Sequence, residues 1–288
     1  MKKIVIAGCG YIGTRIARSW KETGAEVTCL VRSPEHQAAL ESEGFMARSC
    51  SFDDPADIPV LDVAGCVVYY FVPPPGGGTA DSRARHFCTA ISLSAPPARI
   101  IYMSATSVYS DTGGATVTEE SPAEPHSAMG KRRLDAERAF LGFGQAAGVP
   151  VIILRVCGIY GPGRLPLMQI SQGLPLLNEA ESGPSNRIHA DDLAAVCLAA
   201  ADRGDGGEIF NVSDGHPSSM TSYFNACADL LGYPRQPQVS MAEARRVMSP
   251  LMLSYVSDAR VVDNARMLER LNIRLKYPTM REGLQNCA

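Results

Sequence analysis

One hexapeptide constrains this chain more than any other feature. Gly8-Cys9-Gly10-Tyr11-Ile12-Gly13 follows the apolar run Lys3–Ala7 (KIVIA) and opens the amphipathic segment Tyr11–Thr23. Glycines at these spacings, between a strand and a helix, have separate physical uses. The first permits a tight turn, the next lets backbone approach a pyrophosphate, and the third lets the helix pack closely on the strand. The helix N-terminus adds partial positive charge that favours a phosphate. The expectation is a dinucleotide site holding Gly8, Gly10, Tyr11, Ile12 and Gly13. An export-signal reading of Met1-Lys2-Lys3 fails on length, because about five apolar residues follow where roughly seven are needed.

The rest of the first half repeats the alternation. Glu26–Val31, Cys66–Val72, Arg99–Ser104 and Val151–Arg155 are apolar runs bounded by turn residues, as strands buried on both faces require. Helical patterns lie between them at Pro34–Glu43, Ala80–Ser94 and Lys131–Ala147, with Gly24 and Gly148-Val149-Pro150 as stops. The predicted fold class is α/β: a doubly wound parallel sheet of Rossmann type with a smaller, mainly helical C-terminal cap. Residues 1–157 form the dinucleotide-binding part, with the sheet completed by about 186–215, and 158–185 with 216–288 form the cap. Within the later region Asp191–Asp202 reads as a helix with Asp191 as N-cap, Glu208–Val212 as a strand, and Met220–Leu231, Met241–Met248 and Asn264–Leu271 as helices.

Composition narrows the partners. The 288 residues carry a formal net charge of −3, which offers no footprint for nucleic acid or an anionic membrane surface. No apolar run reaches the roughly 18 residues of a membrane-spanning helix. Nine cysteines stand singly, without CxxC or Cys/His clustering, so no metal site is expected and a reducing, cytoplasmic setting is. The expected partner is a small-molecule substrate, and a homodimer is compatible with the sequence.

The end of the second strand bears on the cofactor. A site for NAD carries an acid there for the ribose 2′-OH, whereas this chain has Val31-Arg32-Ser33. A guanidinium suits a 2′-phosphate, so NADP(H) is preferred, with NAD(H) as the alternative. Ligands in such sheets lie beyond the strand C-terminal ends, which adds Phe52, Val72 and Pro73 to the cofactor set. The loop Pro73-Pro74-Pro75-Gly76-Gly77-Gly78 reads as a wall or lid.

Four motifs in order carry a family resemblance: AGCGYIG; Tyr102–Tyr109 (YMSATSVY); Leu154-Arg155 followed by Gly158–Arg164 (GIYGPGR); and Arg187–Asp192 (RIHADD). The chain resembles the NAD(P)-dependent epimerase/dehydratase family of extended short-chain dehydrogenases/reductases, and within it an atypical bacterial branch. The resemblance implies a catalytic Ser/Thr, a Tyr and a Lys. By position these fall on Ala105, Met129 and Arg133, so all three are substituted. Arg133 can still bind ribose hydroxyls, but neither it nor Met129 can relay a proton. Candidates for a replacement acid or base are Ser104, Thr106, Ser107 and Tyr109, with Lys131, His189 and water behind them. The arginine that family members acting on sugar nucleotides place four residues before the motif histidine is Ser185 here. Arg187, together with Arg164, is therefore the candidate grip on an anionic substrate, and Tyr160 and His189 complete the substrate set. The resemblance implies an NAD(P)-dependent oxidoreductase or epimerase/dehydratase-type enzyme with a non-standard acid/base group. A non-catalytic NADP(H)-binding sensor or regulatory protein remains the alternative.

Overall fold

The structure is a computed structural model that describes residues 1–249, 252, 253, 256 and 258–287. Residues 250, 251, 254, 255, 257 and 288 of the expected cap lie outside the described residues. Seven strands form the central sheet: β1 (Lys3–Ala7), β2 (Glu26–Val31), β3 (Met46–Ser49), β4 (Val67–Tyr70), β5 (Arg99–Ala105), β6 (Val151–Val156) and β7 (Ile209–Val212). Their order is β7-β6-β5-β4-β1-β2-β3, and every pairing is parallel. The order reverses between β1 and β4, where Ala7 pairs with Tyr70. In a doubly wound sheet that reversal opens a crevice beyond the strand ends, and the glycine turn and the 71–78 loop flank it.

Alternating strand residues feed two cores because a pleated strand turns successive side chains to opposite faces. On one face Ile4, Ile6, Cys29, Tyr69, Ile101, Ile152 and Leu154 meet helix α1 (Tyr11–Glu22) and its neighbours. On the other, Val5, Leu30, Tyr70, Ile100, Tyr102 and Ile153 meet α3 (Ser82–Ser92) and α4 (Ala128–Ala147). The short α2 (Pro34–Ser42) follows β2 and buries only Leu40. In α1 the buried residues Ile12, Gly13, Ile16, Ala17 and Trp20 fall at helical spacing, and Trp20 Nε1 donates to Tyr69 Oη at 3.0 Å.

Beyond β6 the chain makes α5 (Leu167–Ser171), α6 (Ala190–Arg203), α7 (Met220–Leu231), α8 (Met241–Val247), α9 (Ala265–Arg270) and α10 (Met280–Gln285). Gly158–Tyr160 pairs with Arg187–His189 in parallel, and Pro184–Ser185 pairs with Ser218–Ser219 antiparallel. Tyr160, Ile170, Leu176, Tyr223, Phe224, Cys227 and Leu284 make a separate core for this region.

Two expectations change. Met267 and Leu271, at the α9 end of the expected cap, pack into the sheet core instead, and Arg270 pairs with Asp205 and Glu208 before β7. The N-cap of α6 is His189, whose Nδ1 accepts from Asp191 N at 3.2 Å. Asp191 is drawn away to Arg15 Nε at 3.0 Å. Among the described residues no helix is long and apolar enough to cross a membrane.

Candidate functional site

A cavity of about 440 Å³ runs along the crevice. The glycine turn forms its floor, and each glycine has its own geometric reason. Gly8 has φ +82°, and a Cβ there would sit 2.7 Å from Val72 N. A Cβ on Gly13 would press on Ile6 at 3.1 Å, so this glycine sets how closely α1 approaches β1. A Cβ on Gly10 would meet only Gly8 O, at 4.0 Å, because its open side faces the cavity. Gly10 is also the N-cap of α1 and supplies no side-chain acceptor, so the amides of the first turn stay uncapped. Close backbone, free N–H groups and the helix dipole together fit a pyrophosphate.

The side chains around this floor are cationic at one end and apolar in the middle. Tyr11, Ile12, Arg32, Phe52, Val72, Pro73, Met103, Arg133, Ile159 and Arg164 all line it. Arg32 is exposed at the rim, next to His36. Arg133 Nη1 donates to Met103 O at 2.9 Å, which holds its guanidinium against the end of β5. Arg164 stands over the Tyr11 ring at 5.2 Å, and Tyr11 Oη donates to Pro162 O at 2.9 Å. Among the lining residues that sequence reasoning missed are His36, Asp53 and Arg83. Asp53 directly follows Phe52, and its carboxylate is paired to Arg83 Nε at 2.6 Å, which holds its pKa below the ordinary value. Arg83 Nη1 also donates to Pro73 O at 2.9 Å, and Arg132 Nη1 donates to Gly78 O at 2.7 Å. The proline-glycine loop is thus held at both ends by guanidinium groups.

A second cavity, of about 740 Å³, adjoins the first, and Ile159 lines both. Ala105, Thr106, Ser107, Met129, Arg132, Cys157, Tyr160, Arg187 and Arg260 line the second one. Gly130 makes this wall: its would-be Cβ lies 2.1 Å from Ser107 O, so only glycine lets the first turn of α4 bring Met129 beside Ser107. Arg187 is almost fully buried; its guanidinium stacks on Tyr223 at 4.2 Å and donates to Ser218 Oγ at 2.8 Å. Burial raises the Cys157 thiol to about 12, and Tyr160, also raised by burial, donates to Thr279 O. Arg132 and Arg133, adjacent on α4, serve different cavities because a helix turns about 100° per residue.

Several sequence candidates stand elsewhere. Ser104 and Tyr109 line neither cavity and belong to a buried polar network under the sheet ends. Ser104 Oγ donates to Glu137 Oε1 at 2.6 Å, Arg155 grips Glu137 at 2.9 and 3.1 Å, Arg155 Nη1 donates to Tyr109 Oη, and Tyr109 Oη donates to Asn211 Oδ1. His189 is fully buried, caps α6 and packs on Tyr277, and burial lowers its pKa. Arg164 and Arg187, expected as one grip, face different cavities. Among the described residues no group of three or more His, Cys, Asp or Glu is placed to hold a metal ion.

Asp214, behind Arg187, gives a pH signature. Burial raises its carboxyl to about 6, while His216 N donates to Oδ1 and Oδ2 has no partner. The folded pKa exceeds the unfolded one, so the folded state binds more protons between about pH 4 and 6, and stability from this group falls as pH rises through that window. Asp214→Asn is expected to remove that fall. The stability difference between variant and parent, from urea melts, should grow in the variant's favour by about 2 kcal/mol from pH 4 to pH 7, and a flat difference refutes the assignment.

The parallel sheet with a glycine turn at its reversal defines a Rossmann-like protein. Residues 82–213 match the model of the NAD dependent epimerase/dehydratase family. Residues 4–62, from β1 to just past β3, also match the ketopantoate reductase PanE/ApbA model. Protein YeeZ of Escherichia coli is 27% identical over 289 residues, covering 96% of this chain and 97% of its own. A functionally unknown conserved protein from Silicibacter pomeroyi superposes with a TM-score of 0.83 at 28% identity, over 99% of this chain and 97% of that one. Human epimerase family protein SDR39U1, solved with NADPH, shares the fold at a TM-score of 0.76 and 16% identity, over 99% and 98% of the two chains.

Proposed function

We propose that the protein is an NADP(H)-preferring oxidoreductase or epimerase/dehydratase-type enzyme that acts on a small molecule held in the 740 Å³ cavity. The observation that carries this reading is the uncapped α1 N-terminus at Gly10, which opens into a cavity that shares the Ile159 wall with a second one. The dinucleotide would be held by Gly8–Gly13, Arg32, Phe52, Val72, Pro73 and Arg133, and would supply hydride exchange. Arg133, fixed on Met103 O, presents donors to ribose hydroxyls in place of a lysine. Thr106 and Ser107 are the hydroxyls on the substrate wall that can orient a reacting oxygen.

Arg32→Ala is expected to weaken NADPH binding about tenfold and leave NADH nearly unchanged, measured by fluorescence titration. Equal loss for both cofactors would refute the 2′-phosphate role.

A non-catalytic NADP(H) sensor is the second reading. It is favoured by a substrate wall that carries Ala105 and Met129, with Cys157 and Tyr160 both shifted up, so that no lining thiol or phenol there ionises near neutrality. Stopped-flow oxidation of bound NADPH with aldehydes, ketones, imines and nucleotide sugars separates the two. Turnover supports the enzyme, and inertness with intact binding supports the sensor.

A further inference from the structure

We propose that the second cavity is built to take a dianion, held between Arg132 of α4 and Arg187 of the 187–189 strand. This deepens the reading of that cavity as the substrate's and rests on it. Three guanidinium groups line the cavity, and only Arg260 has a carboxylate, Asp258 Oδ2 at 2.8 Å. Among the described residues no carboxylate oxygen lies within 4.0 Å of Arg132 or Arg187.

Both side chains are nonetheless buried, at 9% and 5% exposure. Arg132 makes one hydrogen bond, to Gly78 O, and its Nε is buried without a partner. Arg187 reaches Ser218 and the Met220 sulfur, with the Tyr223 ring beneath it. Asp214 acts on Arg187 only through space: its backbone N–H donates to Arg187 O and its carboxylate accepts from His216 N, not from the guanidinium.

A buried charge without a counter-ion is costly, and a lysine in this position could shed its proton. An arginine cannot, because its pKa stays far above neutrality even when lowered by burial. The two charges must therefore be met by something that enters the cavity. The same lining carries apolar surface from Met129, Ile159, Tyr160, Met220 and Tyr223, beside the neutral polar groups of Thr106, Ser107, Ser185 and Asn186. The ligand chemistry that answers this wall is two negative charges on an uncharged carbon body, in a dicarboxylate or a phosphate ester.

Calorimetric titration of the full chain, without cofactor, tests this with glutarate, glycerol phosphate and the monoanion butyrate. At least one dianion is expected to bind about tenfold or more tighter than butyrate, and Arg132→Gln and Arg187→Gln should each reduce it to the butyrate level. A preference for glutarate assigns separated carboxylates, and a preference for glycerol phosphate assigns a phosphate ester. Arg187→Lys, whose amine a bound dianion would hold protonated, should retain intermediate affinity, which guards against misreading an unfolded Gln variant. Equal binding of dianions and butyrate overturns the proposal, as does full dianion affinity in folded Arg132→Gln. NADPH titration of the unaltered protein is the separate control: dianion binding without NADPH binding removes the dinucleotide reading alone.

Discussion

Gly10→Val is expected to fold and to lose NADPH affinity by at least about 100-fold, close to 3 kcal/mol. Gly10 has φ −94°, outside the left-handed region, and an added Cβ meets nothing nearer than Gly8 O at 4.0 Å. The valine branches would occupy the space where a pyrophosphate approaches the α1 amides, so the loss falls on binding. Stability should change by no more than about 1–2 kcal/mol. Gly8→Ala is the contrast: with φ +82° and Val72 N 2.7 Å from the new Cβ, its damage should appear in the unfolding midpoint itself. NADPH titration beside urea melts checks both, and unaltered affinity in a folded Gly10→Val protein would remove this turn from the cofactor site.

The second large effect lies under the site. Glu137→Ala is expected to destabilise the protein by about 3–5 kcal/mol, because it leaves the Arg155 guanidinium buried without its partner. Side-chain exposures of 2% for Glu137 and 5% for Arg155 exclude solvent compensation, and Ser104 Oγ loses its acceptor at the same time. The paired replacement Glu137→Leu with Arg155→Met should recover much of the loss, since it removes both charges. Urea unfolding of the single and double variants is the measurement. A single-variant loss below about 1 kcal/mol would show that the pair contributes little.

What the sequence disclosed follows from which forces act locally. The strands at Lys3–Ala7, Glu26–Val31, Arg99–Ala105 and Val151–Val156 are largely buried on both faces and so appear as near-continuous apolar runs, broken by single polar residues such as Ser104 and Arg155. Edge strand β3 has no such run: Met46, Arg48 and Ser49 are exposed and only Ala47 is buried. The two-residue pairings around the second cavity carry no hydrophobic period at all, because their partners are fixed by remote segments. The glycine turn was legible for the opposite reason, since strand, turn and helix are consecutive and their geometry is local. Asp191 looked like a helix cap, but a salt bridge to Arg15, remote in sequence, claims it and leaves the cap to His189. Ser104 and Thr106 are two residues apart, yet one meets Glu137 in the interior and the other lines the second cavity. The placement of Arg132 with Arg187, and of Arg164 with Tyr11, depends on how α4 and the later loops meet, which spacing along the chain does not encode.

The strand Gly158–Tyr160 begins two residues after β6 ends, and its partner Arg187–His189 runs straight into α6. The wall of the second cavity is therefore an outgrowth of sheet elements, with no linker at either junction. A fragment ending at residue 157 would lose β7, α6 and α9, and with them Leu193, Val196, Phe210 and Met267, stripping one face of the sheet to solvent. The cap could not be exchanged as a cassette between relatives, and new substrate preferences would have to arise by changing residues in place.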